Sequence, residues 1–228
     1  MIVALDGPAG SGKTSTAKAV AAALDFAYLD TGAMYRAITL AALRTGEELT
    51  EALLTAVTGR IVLDIRYEAD GMHVFLDNEE VTDELRSDAV NANVSLASSF
   101  KLVREKMVDQ QRQIARRIVA AGGGVVVDGR DIGTVVFPEA PVKVFMNASP
   151  EVRAARRVAE LVEKGQSVDA LEILENIKFR DHFDSTRAIA PLLQASDAIA
   201  LDTSVLSFDE QVSRVVDIVK ERQLRSDV

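Results

Sequence analysis

The sequence GPAGSGKT, residues 7–14, lies between the apolar run IVAL at residues 2–5 and the helix-forming sequence TSTAKAVAAAL at residues 14–24. It fits the pattern G-x-x-x-x-G-K-[ST], whose glycines adopt backbone angles that other residues avoid, so that successive N–H groups can point at phosphate oxygens. The start of the following helix adds a positive dipole end. This pattern predicts a strand, a phosphate-binding loop and a helix, and with them a bound nucleoside triphosphate. The alternative is an ordinary glycine-rich turn with an exposed lysine.

The side chains of this loop also have predicted roles. Lys13 is expected to reach the β- and γ-phosphates, and Thr14 is expected to offer its hydroxyl to Mg²⁺. The residues predicted to bind the triphosphate are Gly7, Pro8, Ala9, Gly10, Ser11, Gly12, Lys13 and Thr14.

Length and composition limit the remaining possibilities. The 228 residues suit a single domain, residues 1–228, and the absence of cysteine excludes a disulfide framework, a thiol nucleophile and a cysteine-ligated metal. The net charge of −9 opposes binding to a nucleic acid or to an anionic membrane. The apolar runs are strand-sized and the N-terminus lacks the regions of a signal peptide. We therefore expect a soluble, unprocessed, cytoplasmic protein that acts as a monomer.

Short apolar runs alternate with longer segments of helical spacing. The predicted strands are residues 2–5, 125–127, 142–146 and 198–201, with a weaker candidate at 26–29, and the predicted helices are residues 13–24, 33–44, 100–121, 150–164, 169–182 and 208–222. This alternation favours an α/β fold with a buried parallel sheet. Residues 61–67 and 73–76 break it, because they flank an Asp-Gly turn within residues 68–72 and so predict a hairpin in a small unit of about residues 60–94.

Aspartates and arginines cluster in three places. Two clusters follow predicted strands, and in open α/β sheets ligands collect at the carboxyl ends of the strands. Each aspartate is alternatively a turn or cap residue, and the third cluster is alternatively a solvated stripe of ion pairs. The clusters are Asp30, Thr31 and Arg36; Asp128, Arg130 and Asp131; and Arg180, Asp184 and Arg187.

At this point the chain resembles a known family. The motifs GPAGSGKT, LDTGAMYRA, Val94-Ser95 through Arg104, DGRDIGTVVFP and RDHFDSTRAIAPL occur in an order and spacing similar to those of bacterial cytidylate kinases, which are nucleoside monophosphate kinases. The resemblance implies a three-layer P-loop fold with a five-stranded parallel sheet, a CMP-binding insertion at about residues 60–94 and a helical lid at about residues 150–187. It also implies transfer of the γ-phosphoryl group of ATP to CMP or dCMP, with Mg²⁺.

The same resemblance assigns roles to individual residues. It places three residues around the cytosine, two at the sugar and three arginines at the acceptor phosphate with a threonine nearby, and it assigns Asp128 with Thr14 to the magnesium site. Two lid arginines are expected at the ATP phosphates, and Lys13, Arg130 and Arg187 are expected to be catalytic. The cytosine residues are Ser95, Arg104 and Asp131, and the sugar residues are Arg180 and Asp184. The acceptor-phosphate residues are Arg36, Arg130 and Arg187, with Thr31 nearby, and the lid arginines are Arg153 and Arg157.

These assignments are chemically consistent. Cytosine offers acceptors at O2 and N3 and a donor at N4, so Ser95 and Arg104 can donate while Asp131 accepts from N4. The phosphate of CMP has a second pKa of about 6 and is mostly a dianion at neutral pH, so its oxygen can attack without a general base. We therefore expect structural or solvated roles for His73 and His182. Two alternatives remain: another small-molecule kinase of this fold, such as a shikimate or a UMP/AMP kinase, and a P-loop regulatory ATPase.

Overall fold

The computed structural model describes residues 1–68, 70–163 and 165–226. Its elements in chain order are β1 (Ile2–Asp6), α1 (Lys13–Leu24), β2 (Ala27–Asp30), α2 (Thr31–Leu43), α3 (Glu51–Arg60), β3 (Leu63–Glu68), β4 (Gly71–Leu76), β5 (Glu79–Glu80), a 3-10 turn (Glu84–Arg86), α4 (Asp88–Ala97), α5 (Lys101–Ala120), β6 (Val125–Gly129), a π-helical turn (Ile132–Val136), β7 (Val142–Asn147), α6 (Pro150–Glu163), α7 (Ala170–Thr186), β8 (Ile199–Asp202) and α8 (Phe208–Ser226).

Five parallel strands form the central sheet, in the order β2-β6-β1-β7-β8. All five predicted runs are strands, and the prediction of an α/β fold with a five-stranded parallel sheet is confirmed. Each strand ends one or two residues later than its apolar run, because the polar residues that follow still pair with a neighbouring strand. The strands therefore carry polar side chains to the carboxyl edge of the sheet, and the register pairs Asp30 with Asp128 and Asp6 with Gly129 there.

Helices cover both faces of this sheet, as the three-layer prediction requires. Successive strand residues point to opposite faces, so Ala4 packs in a cluster with α2, α5 and the β3–β4 unit, whereas its neighbours Val3 and Leu5 pack with α1 and α8. All three side chains are completely buried. None of the described helices combines the length and apolar character that crossing a bilayer requires.

The predicted hairpin is present as β3 and β4, which pair antiparallel from Leu63 opposite Leu76 to Glu68 opposite Gly71. Its predicted turn includes Ala69, which lies outside the described residues. The short strand β5 extends the pair to a three-stranded sheet. The rest of the predicted unit is not β-structure, because the 3-10 turn and α4 follow, and α4 runs past position 94 to Ala97.

Two helices were absent from the sequence prediction. Helix α3 begins at Glu51, and the hydroxyl of the preceding Thr50 caps it by accepting from Leu53 N. The helix buries Leu54 and Val57. Helix α4 has the sequence DAVNANVSLA, whose asparagines and serine favour turns, but Val90, Val94 and Ala97 lie on one buried face. Tertiary burial of that stripe therefore overrides weak helix propensity.

The helices of the predicted lid differ slightly from their expected bounds. The described part of α6 ends at Glu163, and Lys164, the expected last residue, lies outside the described residues. Helix α7 continues four residues beyond the expected end at position 182. This extension places Asp184 inside the helix, one turn after Arg180.

Candidate active site

Residues 7–14 form a tight loop between β1 and α1. A Cβ at Gly7 would lie 2.0 Å from the Met146 carbonyl oxygen, so a larger residue does not fit there. Gly12 caps α1 with a φ of 87°, a left-handed conformation that favours glycine. The Lys13 ammonium folds back over the loop and donates to the Pro8 carbonyl at 3.2 Å. The strand, loop and helix that the motif predicts are thus all present.

Lys13 occupies the centre of a buried group of charges. Its side chain is almost fully buried. Burial, followed by the positive charge of Arg130, lowers the pKa of Lys13 to about 7, although Asp128, Asp6 and Asp184 act in the opposite direction. The carboxyl edge of the sheet therefore brings Lys13 together with residues from two of the three sequence clusters and with Asp6 at the end of β1.

The Asp128 carboxylate is held on both oxygens at the end of β6. Thr14 Oγ1 donates to Oδ2 at 2.7 Å, and the buried Tyr28 hydroxyl donates to Oδ1 at 3.0 Å. Thr31 Oγ1 donates to the Asp128 backbone carbonyl at 2.7 Å. Burial and the neighbouring Asp30 raise the pKa of Asp128. The Thr14 hydroxyl and the Asp128 carboxylate are oxygen ligands of the kind that a hard cation such as Mg²⁺ prefers. These two residues therefore fit the predicted metal.

Asp6 is a site residue that the sequence prediction missed. Its carboxylate accepts from the backbone N–H groups of Ile132 and Gly133, both at 2.7 Å, and so fixes the turn that follows Asp131. Burial raises the pKa of Asp6 to about 6, while those two hydrogen bonds act in the opposite direction. The available signal was position, because Asp6 ends β1 directly before the phosphate-binding loop.

Four arginines predicted to bind substrate form one group of interacting charges around Asp184 and Arg130, and Arg130 also acts on Lys13. Burial and the charge of Arg130 lower the pKa of Arg180 to about 10, and Asp184 opposes this change. Arg130 Nε donates to Asp184 Oδ2 at 2.8 Å. Three other guanidinium nitrogens are buried without a hydrogen-bond partner among the residues that the structure describes. We call these residues the arginine cluster; its members are Arg36, Arg130, Arg180 and Arg187, and the unpartnered atoms are Arg36 Nε, Arg180 Nε and Arg187 Nη2.

The residues predicted to recognise the base meet at one end of this cluster. Arg104 of α5 forms a buried ion pair with Asp131, and Arg187 Nη2 lies 3.8 Å from the other Asp131 oxygen. Burial raises the pKa of Asp131, and the two arginines act in the opposite direction. Ser95 is joined to this group through Ser98, whose hydroxyl donates to the Ser95 carbonyl and whose own carbonyl accepts from Arg104 Nη1 at 3.1 Å.

Two further polar residues border this group and were not predicted. The Arg104 guanidinium lies 5.5 Å from the centre of the Tyr35 ring. The Tyr35 hydroxyl and the amide of Gln111 are buried without a hydrogen-bond partner among the described residues. Burial raises the pKa of Tyr35 to about 12, so its hydroxyl stays protonated and can donate a hydrogen bond. Gln111 follows Arg104 by seven residues, which places both on one face of α5, and that spacing is a signal available from the sequence.

A family model for cytidylate kinase matches residues 3–221. The chain belongs to the cytidylate kinase family. A cytidylate kinase from Salinibacter ruber is 50% identical over 225 residues, which are 99% of either chain. A cytidylate kinase from Mycobacterium leprae is 46% identical over 222 residues, which are 97% of this chain and 96% of that protein. An uncharacterized protein from Eubacterium ventriosum matches in fold, with a TM-score of 0.51, 12% identity and coverage of 96% and 98% of the two chains.

In this member of the cytidylate kinase family, the two predicted lid arginines have different environments. Arg153 is buried, and its guanidinium donates to the Ala148 carbonyl, to the Ala9 carbonyl and to both oxygens of Asp181. It therefore ties α6 to the phosphate-binding loop and to α7. Arg157 is half exposed and pairs with Glu160 at 2.7 Å. Its positive charge contributes to lowering the pKa of Arg180. Contact of either residue with ATP stays a prediction.

Proposed function

We propose that this chain transfers the γ-phosphoryl group of ATP to CMP or dCMP, giving ADP and CDP or dCDP. Membership of the cytidylate kinase family supports this reaction over a regulatory ATPase or a kinase with another acceptor. The observation that carries the proposal is the arginine cluster, whose member Arg130 acts on Lys13, because partly buried cations that repel one another favour the binding of anions. The reaction needs two anionic nucleotides side by side so that a phosphoryl group can pass from one to the other, and the cluster is where they would meet.

The acceptor phosphate needs no general base. It is mostly a dianion at neutral pH, so its oxygen attacks the γ-phosphorus in line with the departing ADP oxygen, and the phosphoryl group moves between them. The obstacle is repulsion, since two unit charges about 4 Å apart repel by roughly 1 kcal/mol in water and by several kcal/mol at an effective dielectric of about 20. We assign Lys13, Arg130 and Arg187 to offset that repulsion and to hold the attacking oxygen in line.

The ATP phosphates would lie on residues 7–14, where the backbone N–H groups and the start of α1 face them. Thr14 and Asp128 would hold Mg²⁺, directly or through its water shell, and the bound ion would neutralise part of the phosphate charge. The acceptor phosphate would contact Arg36, Arg130 and Arg187, with Thr31 nearby. Arg180 and Asp184 would bind the sugar.

Base recognition is assigned to Ser95, Arg104 and Asp131. In this buried position the Asp131 carboxylate accepts from the cytosine N4 amino group, whereas uracil would present its O4 acceptor to the same carboxylate. An unpaired buried polar group costs about 1–3 kcal/mol, and more when it is charged. This difference would make CMP the preferred pyrimidine nucleotide.

We further propose that residues of about 60–94 act as the CMP-binding insertion and residues of about 150–187 as the lid. Closure of the lid would exclude water, which otherwise competes as an acceptor. We propose that the chain acts as a monomer. The cytoplasm, where ATP and CMP are available, is the proposed site of action.

A panel of nucleoside monophosphates tested as acceptors with MgATP examines the proposed function. We expect rapid formation of ADP with CMP and dCMP, slower formation with UMP and little with AMP or without an acceptor. Equal ATP turnover in the absence of any monophosphate would favour a regulatory ATPase instead. Shikimate added to the same panel tests the remaining small-molecule alternative.

A further inference from the structure

Asp6 ends the central strand of the five-stranded sheet, where its backbone is held from both sides. It lies opposite Gly129 of β6 and opposite Phe145 of β7. The next residue, Gly7, begins the phosphate-binding loop, and the Met146 carbonyl oxygen fills the space that a side chain at Gly7 would need. Asp6 therefore has a firmly placed backbone, one residue away from the proposed ATP site.

The side chain of Asp6 joins this strand to a turn that is distant in sequence. Its two oxygens accept from different backbone groups, Oδ1 from Ile132 N and Oδ2 from Gly133 N, both at 2.7 Å. The first N–H groups of a helical turn have no partner inside the turn, so the buried carboxylate supplies the acceptors that this turn lacks. Both oxygens of Asp6 are thus directed at the turn.

The turn that Asp6 caps is also fixed at its other end. Arg112 of α5 donates from Nε to the Val136 carbonyl at 2.9 Å and from Nη2 to the Val135 carbonyl at 2.8 Å. Inside the turn, the N–H groups of the same two valines donate to the Asp131 carbonyl, at 2.9 Å from Val135 and at 3.1 Å from Val136. Asp131 is therefore part of one hydrogen-bonded unit with the turn, and a shift of the turn would move it.

Close packing sets the position of the turn as well. A Cβ added at Gly133 would lie 3.3 Å from Asp6 Oδ2 and 3.1 Å from Lys143 Cδ, so the backbone of Gly133 lies directly against both side chains. Lys143 is buried and is held by an ion pair with Asp197 at 2.8 Å. The turn therefore has a single place to lie between the end of β1 and the side chain of Lys143.

We propose that Asp6 is a positioning residue for recognition of the acceptor base. It holds the turn so that the Asp131 carboxylate faces the cytosine N4 amino group, at a fixed distance from the phosphate-binding loop. The inference rests on the proposed function, since it concerns the recognition assigned to Asp131. A hydrogen bond weakens steeply as its angle departs from linear, so a small shift of Asp131 would reduce the discrimination between cytosine and uracil.

The test compares Asp6→Asn with Asp202→Asn. Asparagine at position 6 presents one acceptor to the turn and turns an NH₂ donor toward the second backbone N–H, which pushes the turn away. Asp202 is a matched control because it also ends a strand of the sheet, β8, and accepts from a backbone N–H, that of Ser204 at 2.8 Å, but it is exposed and does not contact the turn. Thermal unfolding of each variant checks that the fold is retained.

The measured quantity is the ratio of kcat/KM for CMP to kcat/KM for UMP, together with the KM for ATP. We expect Asp6→Asn to lower the ratio roughly tenfold, the effect of one weakened hydrogen bond to a charged group, and to leave the KM for ATP within about twofold of the wild type. Asp202→Asn should match the wild type in both. An equal loss of activity with CMP and with UMP would overturn the inference, because it would indicate a structural role alone.

A double variant shows whether Asp6 acts through Asp131. Residues that act through one another have non-additive effects, so adding Asp6→Asn to Asp131→Asn should change the CMP-to-UMP ratio by less than about twofold. A further tenfold fall in the double variant would contradict a role through Asp131. A wild-type protein that uses CMP and UMP equally well, or uses neither, would instead defeat the proposed function.

Gly133→Ala tests the same contact from the other side and decides the matter if Asp6→Asn does not fold. It keeps every hydrogen-bonding group, but the added Cβ requires its neighbours to give by a few tenths of an ångström. We expect the CMP-to-UMP ratio to fall about threefold to tenfold, with the KM for ATP unchanged. A wild-type ratio in folded Gly133→Ala would show that base recognition does not depend on where this turn lies, and the inference would be wrong.

Discussion

Asp128 illustrates how a site residue depends on neighbours that a motif does not contain. Thr14, which donates to one carboxylate oxygen, belongs to the predicted loop, but Tyr28, which donates to the other, belongs to an apolar strand. Tyr28 pairs in register with Val126 of β6, and Asp128 lies two residues further along the same face. Parallel register and side-chain alternation thus bring the hydroxyl to the carboxylate.

Tyr28→Phe should reduce the contribution of Mg²⁺ to ATP binding. The change leaves Asp128 Oδ1 without its hydroxyl donor, at a cost of about 1 kcal/mol, so the carboxylate is less firmly oriented toward a metal. We expect the gain in ATP affinity on adding Mg²⁺ to fall severalfold, while the affinity measured with a chelator stays unchanged. Calorimetry under both conditions measures the difference. Tyr67→Phe, on the distant strand β3, serves as the control, and an equal loss with and without metal would contradict the role of Tyr28.

Asp131→Asn should reduce the preference for CMP over UMP. Asparagine can present an amide donor to uracil O4 and removes the carboxylate that would accept from cytosine N4. We expect the ratio of kcat/KM values for CMP and UMP to fall at least tenfold, which corresponds to about 1.4 kcal/mol. Paired kinetics with the two nucleotides measure it, and Asp109→Asn on the exposed face of α5 is the matched control. An unchanged ratio would remove Asp131 from base recognition.

Among the elements, the β3–β4 unit combines a predictable part with an unpredictable one. The alternation of apolar residues around an Asp-Gly turn was enough to predict its hairpin. Helix α4 was not predictable in the same way, because its buried stripe of Val90, Val94 and Ala97 is interrupted by residues that favour turns. Its helical state depends on packing against α2, a contact between distant parts of the chain.

The hairpin also contains an ionisable clamp. His73 Nδ1 lies 2.7 Å from Glu80 and Nε2 lies 2.8 Å from Asp70, so one histidine joins β4 to β5 and to the hairpin turn. These hydrogen bonds, the one to Glu80 first, raise the pKa of His73 to about 9 from an unfolded value of about 6.5. The protonated form is therefore favoured by folding. Its contribution to stability is complete below pH of about 6.5 and is lost as the pH rises through about 9.

His73→Gln should remove that pH dependence. We expect the melting temperature of the wild type to decline more than that of the variant between pH of about 6.5 and 9, with parallel curves below this window. The difference should be small, because the acidic partners are exposed and solvent screens them. Melting curves at a series of pH values measure it, and curves that stay parallel through the window would show that the clamp contributes no stability.

In the whole molecule, the sheet edge explains how much of the site was predictable. Asp30, Asp128 and Arg130 lie at or directly after the carboxyl ends of strands, which must lie together in a parallel sheet, so their proximity follows from the strand assignments. The ion pairs at this edge do not follow from the strand assignments. Arg130 pairs with Asp184 of α7, and Arg104 of α5 pairs with Asp131, and both pairs depend on how helices distant in sequence dock against that edge. The spacing of residues in the sequence does not give the angles at which these helices pack against the sheet.

The docking of α6 and α7 depends in turn on Arg153, which joins both helices to the phosphate-binding loop. Removing the charge of its partner with Asp181→Asn leaves a buried guanidinium without a full countercharge. Breaking a fully buried pair costs about 3–5 kcal/mol, and we expect about 2–3 kcal/mol here, since the Asp181 side chain keeps 28% of its exposure. Glu175→Gln, on the exposed face of the same helix, should change the free energy of unfolding by less than about 0.5 kcal/mol.

The part of the molecule that Asp181→Asn destabilises shows whether Arg153 acts locally, by joining α6 and α7 to the loop, or stabilises the whole fold. If Arg153 holds α6 and α7 to the loop, Asp181→Asn should speed amide hydrogen exchange in α7 and in residues 7–14, and the amides of β1 and β6 should stay protected. Chemical denaturation gives the size of the effect, and hydrogen exchange gives its place. Uniformly faster exchange across the central sheet would contradict a local effect, because it would mean that the pair stabilises the fold as a whole and does not specifically couple α6 and α7 to residues 7–14.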